Sequence, residues 1–295
     1  MAIQKLILNI KPIIEILRWN KPSGRLILLI PAGWSLWLTP SNNPDLSIIL
    51  KIIFGGLLVS GFGCIANDIW DKEIDKKVLR TKDRPLASNR LKLKFAYIIF
   101  IVLIIGSFFL TISLPEEGRL LTLFLAFLSV PIILIYPSSK RWFKFPQLIL
   151  SICWGFAVLI PWAAQEGNLN NPIVFFCWMA TIFWTFGFDT VYALADKDYD
   201  EKIGINSSAI NLKSSTKIAI HICYLFTNIF LGICGFLSQL NLIFWLILLV
   251  TSYLMQIDTI KIFKSENQSI NLIGKHFQNQ VIYGSLVLLG IIISR

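Results

Sequence analysis

Nine stretches of this chain stay apolar for about the thickness of a bilayer, and little besides a membrane bundle can accommodate that pattern. They lie at roughly 23–40, 47–67, 95–114, 119–136, 146–165, 172–192, 216–236, 240–257 and 279–294. Roughly 20 apolar residues in a helix match the ~30 Å hydrocarbon core. Composition agrees: 55% of the 295 residues are hydrophobic and only 15% charged, against about a quarter charged in a soluble domain. So apolar a chain cannot cover itself with polar surface. The expected fold is all-α, a polytopic bundle of about nine transmembrane helices, with residues 1–295 forming one transmembrane domain. The first and eighth stretches fit least well, being short or charged at one end.

The net charge of +10 raises nucleic acid as a partner, but the placement of the charge argues for a lipid bilayer instead. Of the 27 Lys and Arg, all but Lys51, Arg119 and Arg295 fall on one side of a nine-span arrangement. By the positive-inside rule that side is cytoplasmic, and the N-terminus with it. The site is then expected to face the cytoplasm from an inner (plasma) membrane. Ahead of the first span, residues 1–20 place Ile3, Ile7, Ile10, Ile14 and Leu17 on one helical stripe without a small-residue cleavage site, as in an interfacial leader helix. Cys64, Cys153, Cys177, Cys223 and Cys234 sit in apolar runs without CxxC spacing, as small buried side chains do. His221 and His276 have no partner at metal or triad spacing and read as structural.

Two acidic clusters interrupt this apolar text, each where a span leaves the membrane on the basic side. The first contains Asn67, Asp68, Asp71 and Asp75, followed by Arg80 and Arg84. If the second helix continues, Asn67, Asp71 and Asp75 share a face. The second contains Asp189, Tyr192, Asp196, Asp198 and Asp200, with Asp189, Tyr192, Asp196 and Asp200 spaced along another face. Carboxylates crowded in this way repel one another unless a cation sits among them. Oxygen ligands of this kind suit Mg²⁺, which takes one or two carboxylates and completes its shell with substrate phosphate and water. Arg80, Arg84 and the Lys140-Arg141 pair supply cations suited to phosphate oxygens or to a carboxylate.

At these residues the chain resembles the UbiA superfamily of intramembrane aromatic prenyltransferases. Asn67-Asp68-x-x-Asp71-x-x-x-Asp75 with Arg80-Thr-x-x-Arg84-Pro85-Leu86 is similar to the family's first aspartate motif. Asp189-x-x-Tyr192-Ala-x-x-Asp196-x-Asp198-x-Asp200 with Gly204-Ile205 is similar to its second. Further matches occur at Arg18-x-x-Lys21-Pro22-x-Gly24, at Tyr136-Pro137-x-x-Lys140-Arg141 and at Pro146-Gln147, with a weaker echo near Phe277 and Asn279. The Tyr-Pro-x-x-Lys-Arg and Asp-x-x-Tyr-Ala segments most resemble members that prenylate 4-hydroxybenzoate. Two positions depart: Tyr199 stands where another aspartate is common, and Asn206-Ser207-Ser208 where Lys-Ser-Thr is common.

The resemblance implies Mg²⁺-dependent transfer of a polyprenyl group from its diphosphate to the ring of a small aromatic acid, an early step toward ubiquinone or plastoquinone. On this reading Asn67, Asp68, Asp71, Asp75, Asp196 and Asp200 are metal candidates. Arg80, Arg84, Lys140 and Tyr136 are diphosphate candidates, and Arg141, Arg18 and Tyr192 acceptor candidates. Asp71, Asp189 and Asp196 are the catalytic candidates, Asp189 or Asp196 orienting the phenol or taking its proton. Neutralising diphosphate makes it a good leaving group, and aromatic faces stabilise an allylic cation. Homogentisate or a naphthoate is the alternative acceptor. A transporter is the distant alternative, disfavoured because the acids lie at helix ends rather than at mid-depth. No obligate protein partner is implied.

Overall fold

The computed structural model describes residues 10–41, 43–265 and 270–295. The first part of the expected leader, residues 1–9, lies outside them. Helix α1 covers residues 10–16. Of the expected stripe, Ile10 and Ile14 stay exposed, whereas Ile16, off the stripe, is fully buried with Ile65, Leu86 and Ala96. The chain then turns at Arg18, which adopts the left-handed conformation with φ 59°.

Eight helices among the described residues are long and apolar enough to cross a membrane: α4 (Leu46–Trp70), α6 (Leu93–Ile112), α7 (Glu116–Ser139), α8 (Pro146–Glu166), α9 (Pro172–Ala193), α12 (Thr216–Leu237), α13 (Leu242–Lys264) and α14 (Ile270–Ile293). The first expected span is realised as a shorter element, α2 (Ser23–Leu26) and α3 (Leu29–Leu38), separated by a turn. Short helices α5 (Lys72–Asp75), α10 (Lys197–Lys202) and α11 (Ser208–Asn211) lie in the polar connections.

Two spans outrun the sequence reading for one reason. The eighth stretch is cut at residue 257 by Asp258, but α13 continues to Lys264 because Asp258 is buried and satisfied. Its Oδ2 accepts from Asn279 Nδ2 at 2.6 Å and from the Tyr283 hydroxyl at 2.8 Å. The ninth begins at Ile270, not 279, because its polar residues also find partners inside the bundle. His276 Nε2 bonds the Tyr224 hydroxyl at 2.7 Å, and Gln280 accepts from Trp184 Nε1 at 2.9 Å. Average hydropathy counts such residues as polar, whereas a bundle can absorb them once each is hydrogen-bonded.

Helix α9 is central, with Cys177, Ala180, Trp184 and Phe188 in the main core cluster beside Trp34 and Tyr224. Trp184 packs on Trp34 at 5.0 Å between centroids and on Phe188 edge-on at 5.2 Å. Helix α6 is peripheral and buries only Ala96. Without a hydrophobic drive between helices in lipid, close approach through small residues supplies the packing. Gly118 on α7 shows this most sharply, since a Cβ there would sit 2.6 Å from the Ala164 carbonyl oxygen on α8. Backbone cannot swing aside as a side chain can, so Gly118→Ala is expected to destabilise the protein by about 1–3 kcal/mol. Gly24→Ala, where a Cβ meets nothing within 4 Å, should leave stability unchanged; thermal unfolding in detergent compares the two.

Candidate active site

Both acidic clusters fall at breaks in their helices. Helix α4 ends at Trp70, Asp71 leaves helical geometry at φ −95°, ψ 5°, and α5 resumes at Lys72. The i to i+4 spacing survives the break: Asp71 N donates to Asn67 O at 2.9 Å and Asp75 N to Asp71 O at 2.7 Å. Likewise α9 gives way to a 3₁₀ turn over Leu194–Asp196 before α10 begins. Each expected continuous acidic face is therefore bent, which turns the later carboxylates inward over the end of the bundle.

There the clusters meet. A small pocket of about 60 Å³ is lined by Asp71 and Asp75 from the first, Asp196 and Asp200 from the second, and Arg80, Arg84 and Lys140. Thr81 and Ile205, both within the motifs, and Ile74 and Val78, which no pattern in the sequence marked, complete its wall. Cross-cluster pairs hold it together. Lys140 Nζ reaches Asp71 Oδ2 at 3.1 Å and Arg141 Nη2 reaches Asp71 Oδ1 at 3.3 Å. Arg80 forks onto Asp196, one arm at 2.9 Å, and donates to the Tyr192 hydroxyl at 3.1 Å. Its guanidinium lies 5.4 Å from the centre of the Tyr192 ring, which packs on Phe277 at 5.7 Å. Arg84 Nη1 joins Asp75 at 2.8 Å and Asp68 at 3.3 Å.

Asp68 is 1% exposed, lies outside the pocket lining, and is held by Arg84 and by both arms of Arg18. Arg18 is thus committed to Asp68. Arg141 also caps the end of α4 through the Trp70 carbonyl at 3.0 Å, with its guanidinium 5.9 Å from the Trp70 ring. Asn67 and Tyr136 are half-buried near the ends of α4 and α7. The side chains of Asp189 and Asp200 make no hydrogen bond or ion pair among the described residues. Burial pushes the Asp75 carboxyl above its ordinary value, and the neighbouring Arg84 pulls it back in part. Burial also works against the Arg80 charge, but the hydrogen bonds to Asp196 together with attraction to Tyr192, Asp196 and Asp75 outweigh it and hold the guanidinium above its ordinary value.

The donor set fits a divalent cation with part of its shell supplied by a ligand. Four carboxylates border one pocket, yet among the described residues no three acidic, His or Cys side chains converge on one point. Lysine and arginine nitrogens stand between them instead. Deeper in the bundle lies a cavity of about 600 Å³ walled by α3, α4, α6, α7 and α8, with Phe62, Phe127, Ile133 and Phe156 among its lining. Phe62 is about 14 Å from Asp71 along α4. No sequence pattern locates this cavity, because its walls come from apolar residues indistinguishable from lipid-facing ones.

An ionic pocket at the helix ends and an apolar cavity deeper in the same bundle give an integral membrane protein one polar and one apolar binding region. The sequence matches the UbiA prenyltransferase family over residues 28–274, and the chain belongs to that family. It is 40% identical over 281 residues to the 4-hydroxybenzoate solanesyltransferase of Synechocystis, covering 95% of this chain and 94% of the relative. It is 38% identical over 237 residues to the 4-hydroxybenzoate octaprenyltransferase of Psychromonas ingrahamii, covering 80% and 81%. In fold it is similar to an apo UbiA homologue from Aeropyrum pernix (TM-score 0.78, 22% identity, 92% of this chain and 97% of that one). It is also similar to an Archaeoglobus fulgidus homologue bound to GPP and Mg²⁺ (TM-score 0.65, 18% identity, 94% and 99%).

Asp68 and Asp200 differ in the charges that their removal would strand. Asp68→Leu would leave Arg18 and Arg84 facing a buried apolar group and is expected to cost about 3–5 kcal/mol. Asp200→Asn removes no ion pair and should leave unfolding within about 0.5 kcal/mol of wild type; thermal unfolding of both variants in detergent makes the comparison.

Proposed function

We propose that the protein transfers a polyprenyl group from polyprenyl diphosphate to 4-hydroxybenzoate, at the ring carbon ortho to the hydroxyl, in an early step of ubiquinone or plastoquinone synthesis. The observation that carries the reading is the meeting of both acidic clusters with Arg80, Arg84 and Lys140 in one pocket above a large apolar cavity. The named activities of the relatives support the acceptor. The placement of basic residues supports a site open to the cytoplasm from an inner membrane.

In this reading Asp71, Asp75, Asp196 and Asp200, with Asn67 beside them, would hold Mg²⁺, and Asp68 serves by fixing Arg84 and Arg18. The metal would supply neutralisation of the leaving diphosphate. Arg80, Arg84 and Lys140 exchange their carboxylate partners for diphosphate oxygens, with Tyr136 close by. The bond between the allylic C1 and the diphosphate oxygen breaks, and the diphosphate departs with its electron pair. Water is kept from the allylic cation by the apolar wall, and the faces of Tyr192 and Phe277 favour its charge. The ring carbon beside the phenol oxygen then bonds to C1 and its proton leaves. Asp189, whose side chain makes no ion pair, would accept that proton, with Asp196 orienting the hydroxyl. Arg141 takes the acceptor carboxylate, and the isoprenoid tail occupies the cavity.

Membranes bearing the protein are expected to convert a labelled allylic diphosphate and 4-hydroxybenzoate to a prenylated acid only when Mg²⁺ is present. Product with homogentisate or a naphthoate alone would correct the acceptor, and absence of product with all three would reject the reading. Asp71→Asn and Asp196→Asn should each lower turnover at least about 100-fold while remaining in the membrane fraction. Asp189→Asn should lower kcat about 100-fold or more with little change in donor KM.

A further inference from the structure

The Pro146-Gln147 motif opens α8, yet Gln147 lines neither the ionic pocket nor the cavity. Its side chain is 6% exposed, and an amide so deeply buried needs a partner. That partner comes from the other half of the chain: Ser208 N donates to Gln147 Oε1 at 2.8 Å. Ser208 is itself fully buried, and its hydroxyl shares a 2.7 Å hydrogen bond with the hydroxyl of Thr190, the residue after Asp189.

Two neighbouring bonds run across the same seam. Asn206 N donates to the Lys140 carbonyl at 2.8 Å. Asn211 Nδ2 donates to the Lys144 carbonyl at 2.9 Å and to the Ser207 carbonyl at 3.0 Å. The stretch 140–147 is thereby fastened to the stretch 204–211. The first stretch carries Lys140 and Arg141, which reach Asp71 in one cluster. The second follows directly on Asp200 in the other, and its Ile205 lines the pocket. Gly204 makes the turn between them at φ 72°. Of the three links, the one through Gln147 is wholly buried, so water cannot replace it.

We propose that Gln147 is a positioning residue: by holding the Ser208 stretch against the Lys140 stretch, it sets the spacing between Lys140 and Asp200. The inference rests on the reading that these residues face a diphosphate head group. Losing the link leaves the Ser208 N–H without an acceptor and lets the two halves of the pocket drift, which weakens grip on the head group before it touches chemistry.

The test uses the full chain in detergent, wild type beside Gln147→Leu, Gln147→Glu and Asn211→Ala. Calorimetry gives the Kd for magnesium pyrophosphate, and steady-state kinetics gives KM and kcat for an allylic diphosphate. Gln147→Leu is expected to raise both Kd and donor KM about tenfold, the loss of one buried hydrogen bond. Its kcat per folded protein should stay within about threefold, and Asn211→Ala should shift Kd and KM the same way by a smaller factor. Gln147→Glu keeps an oxygen toward Ser208 and should return Kd to within about threefold of wild type. Unchanged Kd and KM in both Gln147→Leu and Asn211→Ala, alongside an active wild type, would overturn the positioning role whatever happens to thermal stability. A wild type that neither binds magnesium pyrophosphate nor turns over the donor would instead reject the prenyl-transfer reading beneath it.

Discussion

Asp71 receives Lys140 and Arg141 from the connection after α7, and Asp196 receives Arg80 from the connection after α4. These crossed ion pairs are the interactions on which the polar end of the bundle depends. Each joins chain segments on either side of the pocket, and each neutralises a carboxylate that burial would otherwise oppose. Removing one partner leaves the other charge stranded at the edge of hydrocarbon, so the clusters, the basic stretches and the helix ends stand or fall together. Arg18, Asp68, Arg84 and Asp75 extend the same logic as a chain of alternating charges that ties the turn after α1 to the end of α4.

The same pairs explain why, among the described residues, no three carboxylates converge. A cation must lie among them, and here the protein's own lysine and arginine nitrogens fill that place. A divalent ion with an anionic head group brings both signs of charge at once, so each side chain can change partners without any charge being left alone. That exchange suits groups whose neighbours are already preorganised on helix ends.

Much of the fold and of the site is legible in the residues alone. The apolar stretches located every long helix, since backbone satisfaction in lipid leaves helices as the solution, and the acidic spacing picked out the side chains that come together. What the sequence could not display were partners far away in the chain. Asp258, Asn279, Tyr283 and Gln280 read as polar interruptions, and only their mutual hydrogen bonds show that α13 and α14 continue through them. Asp71 and Leu194–Asp196 read as helix, because nothing local announces a bend that pairing across the bundle brings about. Ile16, which no stripe in the sequence marked, is the buried contact of α1 and packs with Ile65 of α4.

Helix α6 buries almost nothing of itself, yet through Ile104, Ser107 and Phe108 it forms one wall of the large cavity. Phe108 lines the cavity and is 52% exposed. Because α6 gives so little of itself to the core, its sequence is constrained chiefly from the cavity side, where the size of each side chain sets how much room the cavity keeps.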